Sequence, residues 1–322
     1  MPIRNLQHVA MQVPDLETGL RFYGDFGLTA QETGNGLIFR CDGRDQDQLK
    51  LYEGRLKRLH HICFGTREDE LPALQAGVEK AGFPIIDPPT EVAIGNGAGD
   101  GIWFRDFDDM LFNIRAAEPA PWDTRPGPDA NGPWGNTRVG RRHDFFDWPQ
   151  IRPRRLGHVV VFTFDLARKT AFFENVLGSR RSDSVGPFMD FHYLPTGSDH
   201  HVFGFIDSHA PGLQHIAFEV ANADEVCYGG QRMLDRGYLN AWGPGRHAGP
   251  GSNLFHYLRD PWLSCIEYFA DMDYLPEGVN WQARRYMPGE LPDLWGDGIN
   301  PQFNVNFEAV ATAPVPPVPE KL

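Results

Sequence analysis

Glu267 stands where a charge is expensive. The run Ser264-Cys265-Ile266-Glu267-Tyr268-Phe269 reads as a buried strand, and alternation puts Glu267 at a hydrophobe's position. An unpaired buried carboxylate costs on the order of several kcal/mol, so something must hold that charge. Two histidines on short strands can complete a holder: His158 in "LGHVVVFTFD" and His215 in "LQHIAFEVAN". Two imidazoles and one carboxylate form a facial donor set that leaves open metal positions, which suits non-haem Fe(II), with Mn(II) accepting the same N/O ligands. His8 in "LQHVAMQVPD" and His61 in "LHHICFGTRE" occupy matching strands. Aligning Arg105-Asp106 with Arg259-Asp260, however, sets Asn113 opposite Glu267. Without a carboxylate, His8 and His61 read as hydrogen-bonded core histidines.

Other residues gather around that set. If "DPWLS" is a hairpin loop centred on Trp262, Tyr257 lies directly across from Glu267 and its phenol points into the same site. Val160 and Ala217 share strand faces with His158 and His215 and are expected to form an apolar wall beside the metal, suited to a flat ring. In "GSDHHVFGF", read as a strand, the adjacent His200 and His201 face opposite ways, so one of them at most reaches the site.

The elements that position these residues come in four copies. Each of the four quoted segments is a strand carrying a histidine, followed by a cap and a helix. Asp15 and Asp165 lie at the same offset from their histidines, as do the pairs Phe22-Tyr23 and Phe172-Phe173. Thr66 with Asp69, and Asn222 with Glu225, read as capping boxes. The runs "IWFRDFDDMLFNIR" and "LFHYLRDPWLSCIEYF" close the two halves as hairpins. The pattern is a duplicated pair of strand–helix–strands modules. Residues 119–155, rich in Pro, Gly, Asp and Arg, read as a linker or surface arm with solvated arginines or subunit contacts, and the tail after about Phe307 as loosely held.

Composition narrows the function. At 322 residues with 41% hydrophobic, the chain can fill the cores of two domains. A net charge of -13 disfavours nucleic acid and anionic membranes as partners. With no apolar run of membrane-spanning length and no apolar leader, and with four singly placed cysteines, a cytoplasmic small-molecule protein is expected.

On these residues the chain resembles the type I extradiol ring-cleavage dioxygenases of the vicinal oxygen chelate superfamily. The resemblance implies an α+β fold of four βαβββ modules in two domains: a non-catalytic domain over 1–118, the linker over 119–155, a catalytic metal-binding domain over 156–273 and an extension over 274–322. It places the Fe(II) ligands at His158, His215 and Glu267. The family signature of His, Tyr, Asp-Pro and a downstream Glu is filled by His247, Tyr257, Asp260-Pro261 and Glu267. Two positions depart from it: Leu263 stands where glycine or proline is usual and His256 where an aliphatic residue is usual. His201 takes the acid–base role, with Tyr257 and His247 hydrogen-bonding the substrate. The implied reaction opens a catechol ring with O2 to a hydroxymuconic semialdehyde-type product. Trp242 stands where relatives that bind carboxylated catechols carry arginine, and Phe188 and Phe191 precede His201 in a pocket-lining region, so the diol expected is uncharged or bulky. A homo-oligomer is expected. Two rival readings are a hydroquinone-type dioxygenase using His8 with His215 and Glu267, and a non-enzymatic binder of aromatic compounds. Glyoxalase-like isomerisation would require a second carboxylate.

Overall fold

The computed structural model describes residues 2–92, 99–125, 127, 129–143, 147–290 and 293–310. Strand–helix–strands modules repeat four times along the chain. The first sheet has eight strands in the spatial order Thr29–Thr33, Gly36–Arg40, Leu49–Glu53, Asn5–Val13, Arg58–Thr66, Leu111–Ala116, Ile102–Arg105, Ile85–Ile86. The second repeats that order with Arg180–Val185, Met189–Tyr193, Phe203–Asp207, Arg155–Thr163, Gly212–Glu219, Cys265–Ala270, Leu254–Arg259 and Asn240–His247. Two further strands, Arg284–Tyr286 and Asp293–Gly296, pair onto its two edges. The α+β architecture of four modules is therefore as the repeat predicts.

Aspartates start two matching helices: Asp15 Oδ1 accepts from Glu17 N (3.0 Å) and Asp165 Oδ1 from Arg168 N (3.0 Å). Asn222 Oδ1 likewise accepts from Glu225 N at 3.0 Å. The Thr66–Asp69 box does not form. Thr66 Oγ1 donates to Glu70 (3.0 Å), which Arg4 grips at 2.6 and 2.7 Å, and a short 3-10 turn, Glu68–Glu70, precedes the helix Leu71–Lys80. Pro72, which has no N–H to cap, sits in that helix's first turn.

One apolar core joins the halves: Phe26 stacks on Tyr268 at 3.9 Å, and Phe64 packs edge-on against Phe203 at 5.5 Å. The duplicated hairpin turns share one construction. Asp106 Oδ1 takes the N–H groups of Asp108 and Met110 (2.9 and 3.2 Å), and Asp260 Oδ1 takes those of Trp262 and Ser264 (2.9 and 3.0 Å). The fourth residue of each turn is left-handed, Asp109 at φ 61° and Leu263 at φ 76°. That conformation explains why glycine would fit at 263, and it also shows that leucine keeps the turn. His256, the other departure, points away from the site, onto Gly230 of the helix Ala223–Asp235, with Nε2 3.2 Å from Asn240 Oδ1.

The arm from 119 is largely irregular, but Arg155 already belongs to a strand, and its guanidinium reaches Glu219 (2.5 Å) and Asp199 (2.7 Å) rather than solvent. The extension is docked, not loose, through residue 310. Glu308 is buried against Lys57 at 2.5 Å, and Lys57 also donates to Ser264. The reading of the tail beyond 310 falls outside the described residues.

Candidate active site

Three adjacent strands of the second sheet deliver His158, His215 and Glu267 to one point. Ala217 on the middle strand pairs with His158 on one side and with Glu267 on the other. Glu267 Oε2 lies 3.0 Å from His158 Nε2 and 3.6 Å from His215 Nε2, and all three residues are buried. They form the one such metal-competent group of histidine, cysteine and carboxylate side chains among the described residues. Burial raises the Glu267 carboxyl to about 8, against the opposing pull of His247, Tyr257 and the amide of Asn253, 3.2 Å from Oε1. Burial also pushes both imidazoles well below their ordinary range, so they are neutral donors with lone pairs to give. Among the described residues His215 Nε2 has no hydrogen-bond partner. A costly carboxylate, neutral imidazoles and an orphaned nitrogen facing it fit a divalent cation of the Fe(II) or Mn(II) kind.

The surrounding groups were partly foreseen. Tyr257 pairs with Glu267 across the hairpin, and its hydroxyl lies 3.2 Å from His247 Nε2. Burial, reinforced by the Glu267 charge, raises the phenol's pKa well above its ordinary value. His201 reaches the site with its ring centroid 4.4 Å from that of His158. The strand argument for it does not hold, because Ser198–Asp199 ends before the histidines and Phe203–Asp207 begins after them. A bend separates the two rings, and His200 turns to Asp183 while its Nδ1 stays 3.1 Å from His201 Nδ1.

A cavity of about 530 Å³ opens onto His201, His215, His247 and Tyr257, within the size range of small-molecule sites. Its apolar walls include Phe191, Trp242, Ile206 and Phe303, and Phe188 stands at the mouth, 52% exposed. Val160 is not part of the wall. It is fully buried behind the surface, packed with Phe162, Met189 and Ile206, and the last two line the cavity in its place.

Several contributors were not anticipated. His215 Nδ1 bonds Gln214 Oε1, and Gln214 Nε2 donates to the Phe303 carbonyl at 3.0 Å, so the extension orients a ligand. Asp293, also from the extension, accepts from Trp242 Nε1 at 3.1 Å. The Leu-Gln-His triplet shared by the first and fourth segments was the available signal for Gln214.

Among the described residues the first sheet holds no equivalent set. His8 Nε2 meets His61 Nε2 at 2.8 Å, His61 Nδ1 meets His60 Nδ1 at 2.7 Å, and His60 Nε2 reaches Glu91 at 3.1 Å. Asn113 donates to the carbonyls of Asp100 and Ile102. His8 is thus tied to His61 and is not brought to His215 and Glu267.

The model of the Glyoxalase/Bleomycin resistance protein/Dioxygenase superfamily matches residues 5–114 and 155–268. The chain is 33% identical to metapyrocatechase 2 of Cupriavidus necator over 309 residues, which is 95% of this chain and 93% of that protein. It is 29% identical over 154 residues to an iron-dependent extradiol dioxygenase of Rhodococcus jostii, covering 44% of this chain and 50% of the relative. In fold it is similar to homoprotocatechuate 2,3-dioxygenase of Brevibacterium fuscum, solved with 3,4-dihydroxyphenylacetate. That match has a TM-score of 0.73 at 20% identity and covers 94% of this chain and 91% of that one.

Proposed function

Because the chain belongs to the Glyoxalase/Bleomycin resistance protein/Dioxygenase superfamily, we propose that it cleaves catechols by extradiol ring opening, with Fe(II) held by His158, His215 and Glu267. The observation that carries this reading is the buried convergence of those three donors, of which His215 lines a largely apolar cavity. Fe(II) bound there would act as a Lewis acid toward the diol and bring O2 beside the ring. The net change breaks the ring carbon–carbon bond next to the diol and incorporates both oxygen atoms into a hydroxymuconic semialdehyde-type product.

The chain's own residues do the rest. Tyr257 and His247, already 3.2 Å apart, offer hydrogen bonds to the substrate's oxygens. His201, on the cavity wall, moves the protons. Phe191, Trp242 and Ile206 hold the ring flat and keep water away. An uncharged or bulky aromatic diol is favoured, since no lysine or arginine lines the cavity among the described residues, whereas the Asp293 carboxylate does. A carboxylated ring would meet no cationic side chain and one like charge. Self-association is part of the same reading, supported by Leu294 and Trp295, 67% and 45% exposed on the outermost strand. The four unpaired thiols suit a reducing, cytoplasmic setting.

The test is anaerobic reconstitution with Fe(II), followed by oxygen-electrode and visible-absorbance measurements on a panel of neutral and carboxylated catechols. Oxygen uptake with a yellow ring-opened product, fastest with neutral diols, is expected. Tight catechol binding without oxygen uptake would turn the reading toward the aromatic-compound binder.

A further inference from the structure

Behind His201 runs a buried chain of three side chains that ring cleavage as proposed above does not use. Asp183 is 3% exposed, His200 is fully buried and His201 is 4% exposed. Asp183 Oδ1 accepts the backbone N–H of Arg284 at 2.7 Å, and its other oxygen lies 2.9 Å from His200 Nε2. His200 is wedged by Trp281, with ring centroids 5.6 Å apart, and the Trp281 indole is itself tied to the Ser182 carbonyl at 2.7 Å. His200 Nδ1 then meets His201 Nδ1 at 3.1 Å.

Hydrogen-bond accounting fixes the protons along this chain. A carboxylate only accepts, so His200 Nε2 carries the hydrogen, and the Nδ1 of a neutral His200 is then bare. Two bare nitrogens at hydrogen-bond distance would repel, so His201 Nδ1 must be the donor. That leaves His201 Nε2, the nitrogen free for the cavity, with a lone pair and no proton. We propose that Asp183 and His200 are positioning residues that hold His201 in the Nδ1–H tautomer, with its bare Nε2 turned to the cavity.

The bare Nε2 belongs to a side chain on the cavity wall, where a substrate O–H can donate to it, while Nδ1–H stays tied to His200 and through it to Asp183. This inference rests on the proton-moving role proposed for His201, but the tautomer it assigns exists in the metal-free chain and can be measured there.

Asp183→Asn is the informative change, because the Arg284 N–H keeps the carbonyl oxygen engaged and forces the new amide N–H toward His200. His200 must then accept at Nε2 and donate at Nδ1, which inverts His201 to the Nε2–H tautomer. The experiment is long-range proton–nitrogen NMR of the full-length metal-free protein labelled at histidine nitrogens, with His201 assigned through His201→Phe. Expected is a bare His201 Nε2 in wild type and a protonated one in Asp183→Asn. After loading with Fe(II), Asp183→Asn should lose about 10²- to 10⁴-fold in kcat with KM changed only a few-fold. A protonated Nε2 in wild type, a doubly protonated His200, or an unchanged tautomer in Asp183→Asn would overturn the assignment, the first two without needing the variant to fold. Wild-type turnover in His201→Phe would instead remove the underlying role while leaving the tautomer result intact.

Discussion

Glu267→Gln should make the metal-free protein more stable than wild type at neutral pH while removing its metal. Burial raises the carboxyl from 4.5 to about 8 in the folded chain. Between those values the folded state keeps a proton that the unfolded state has released, so stability falls as pH rises through that window. Each pH unit inside it costs about 1.4 kcal/mol, which amounts to about 3 kcal/mol at pH 7 and less than about 1 kcal/mol at pH 5. Glutamine fills the same volume, cannot ionise and carries no such cost. The buried imidazoles of His158, His201 and His215 act in the opposite sense. Held below their ordinary range, they lower stability as pH falls through 6.5, where unfolded histidines take up protons. That effect is common to both proteins and cancels in their difference. Urea unfolding of the metal-free forms at several pH values, with metal analysis after Fe(II) loading, reads the result. The variant's advantage should grow by about 2–3 kcal/mol from pH 5 to pH 7, and Fe(II) should stabilise wild type alone. A difference independent of pH, or a less stable variant at pH 7, would show that the metal-free site already compensates the Glu267 charge and would remove the argument that a cation is needed.

Three further outcomes follow from the geometry. His201→Phe should still bind Fe(II) and catechol but lose about two to four orders of magnitude in turnover; His200→Phe is not a silent control, since its loss unties His201, and equal rates in wild type and both variants would move the acid–base elsewhere. His8→Ala or His61→Ala should cost about 1–3 kcal/mol in denaturant unfolding by orphaning the other imidazole, with iron content unchanged; loss of iron in His8→Ala would restore the rival ligand set. Leu263→Gly should raise the unfolding midpoint, because it relieves a left-handed leucine worth about 1–2 kcal/mol, less whatever its half-buried side chain contributes; a lowered midpoint would mean that packing outweighs backbone strain there.

What could be read in advance depended on how local the cause was. The fourfold segment, the paired aspartate caps and the cross-strand position of Tyr257 follow from short-range spacing, and the strand order and register repeat them. His201 reached the cavity for a different reason than alternation, because a bend has no fixed period and Asp183, which holds the adjacent His200, lies 17 positions before it in sequence. Val160 kept its face yet lost its place, since which side chain forms the visible surface depends on Met189 and Ile206 from two other strands. Gln214, Asn253, Asp293 and Phe303 act through partners that no periodicity links, and the extension that supplies two of them is low in apolar signal until it is paired.

The two halves also show what an anomalous residue means. Asp106 and Asp260 build the same turn from the same two N–H bonds. Asn113 and Glu267 then occupy equivalent places on the strands that follow, but the amide finds two carbonyls while the carboxylate finds mainly imidazole lone pairs. A polar group satisfied locally is a structural element. One that also faces two imidazoles offering lone pairs is complete only with a cation, and that difference, visible as a single acidic letter in an apolar strand, is what separates the second sheet from the first.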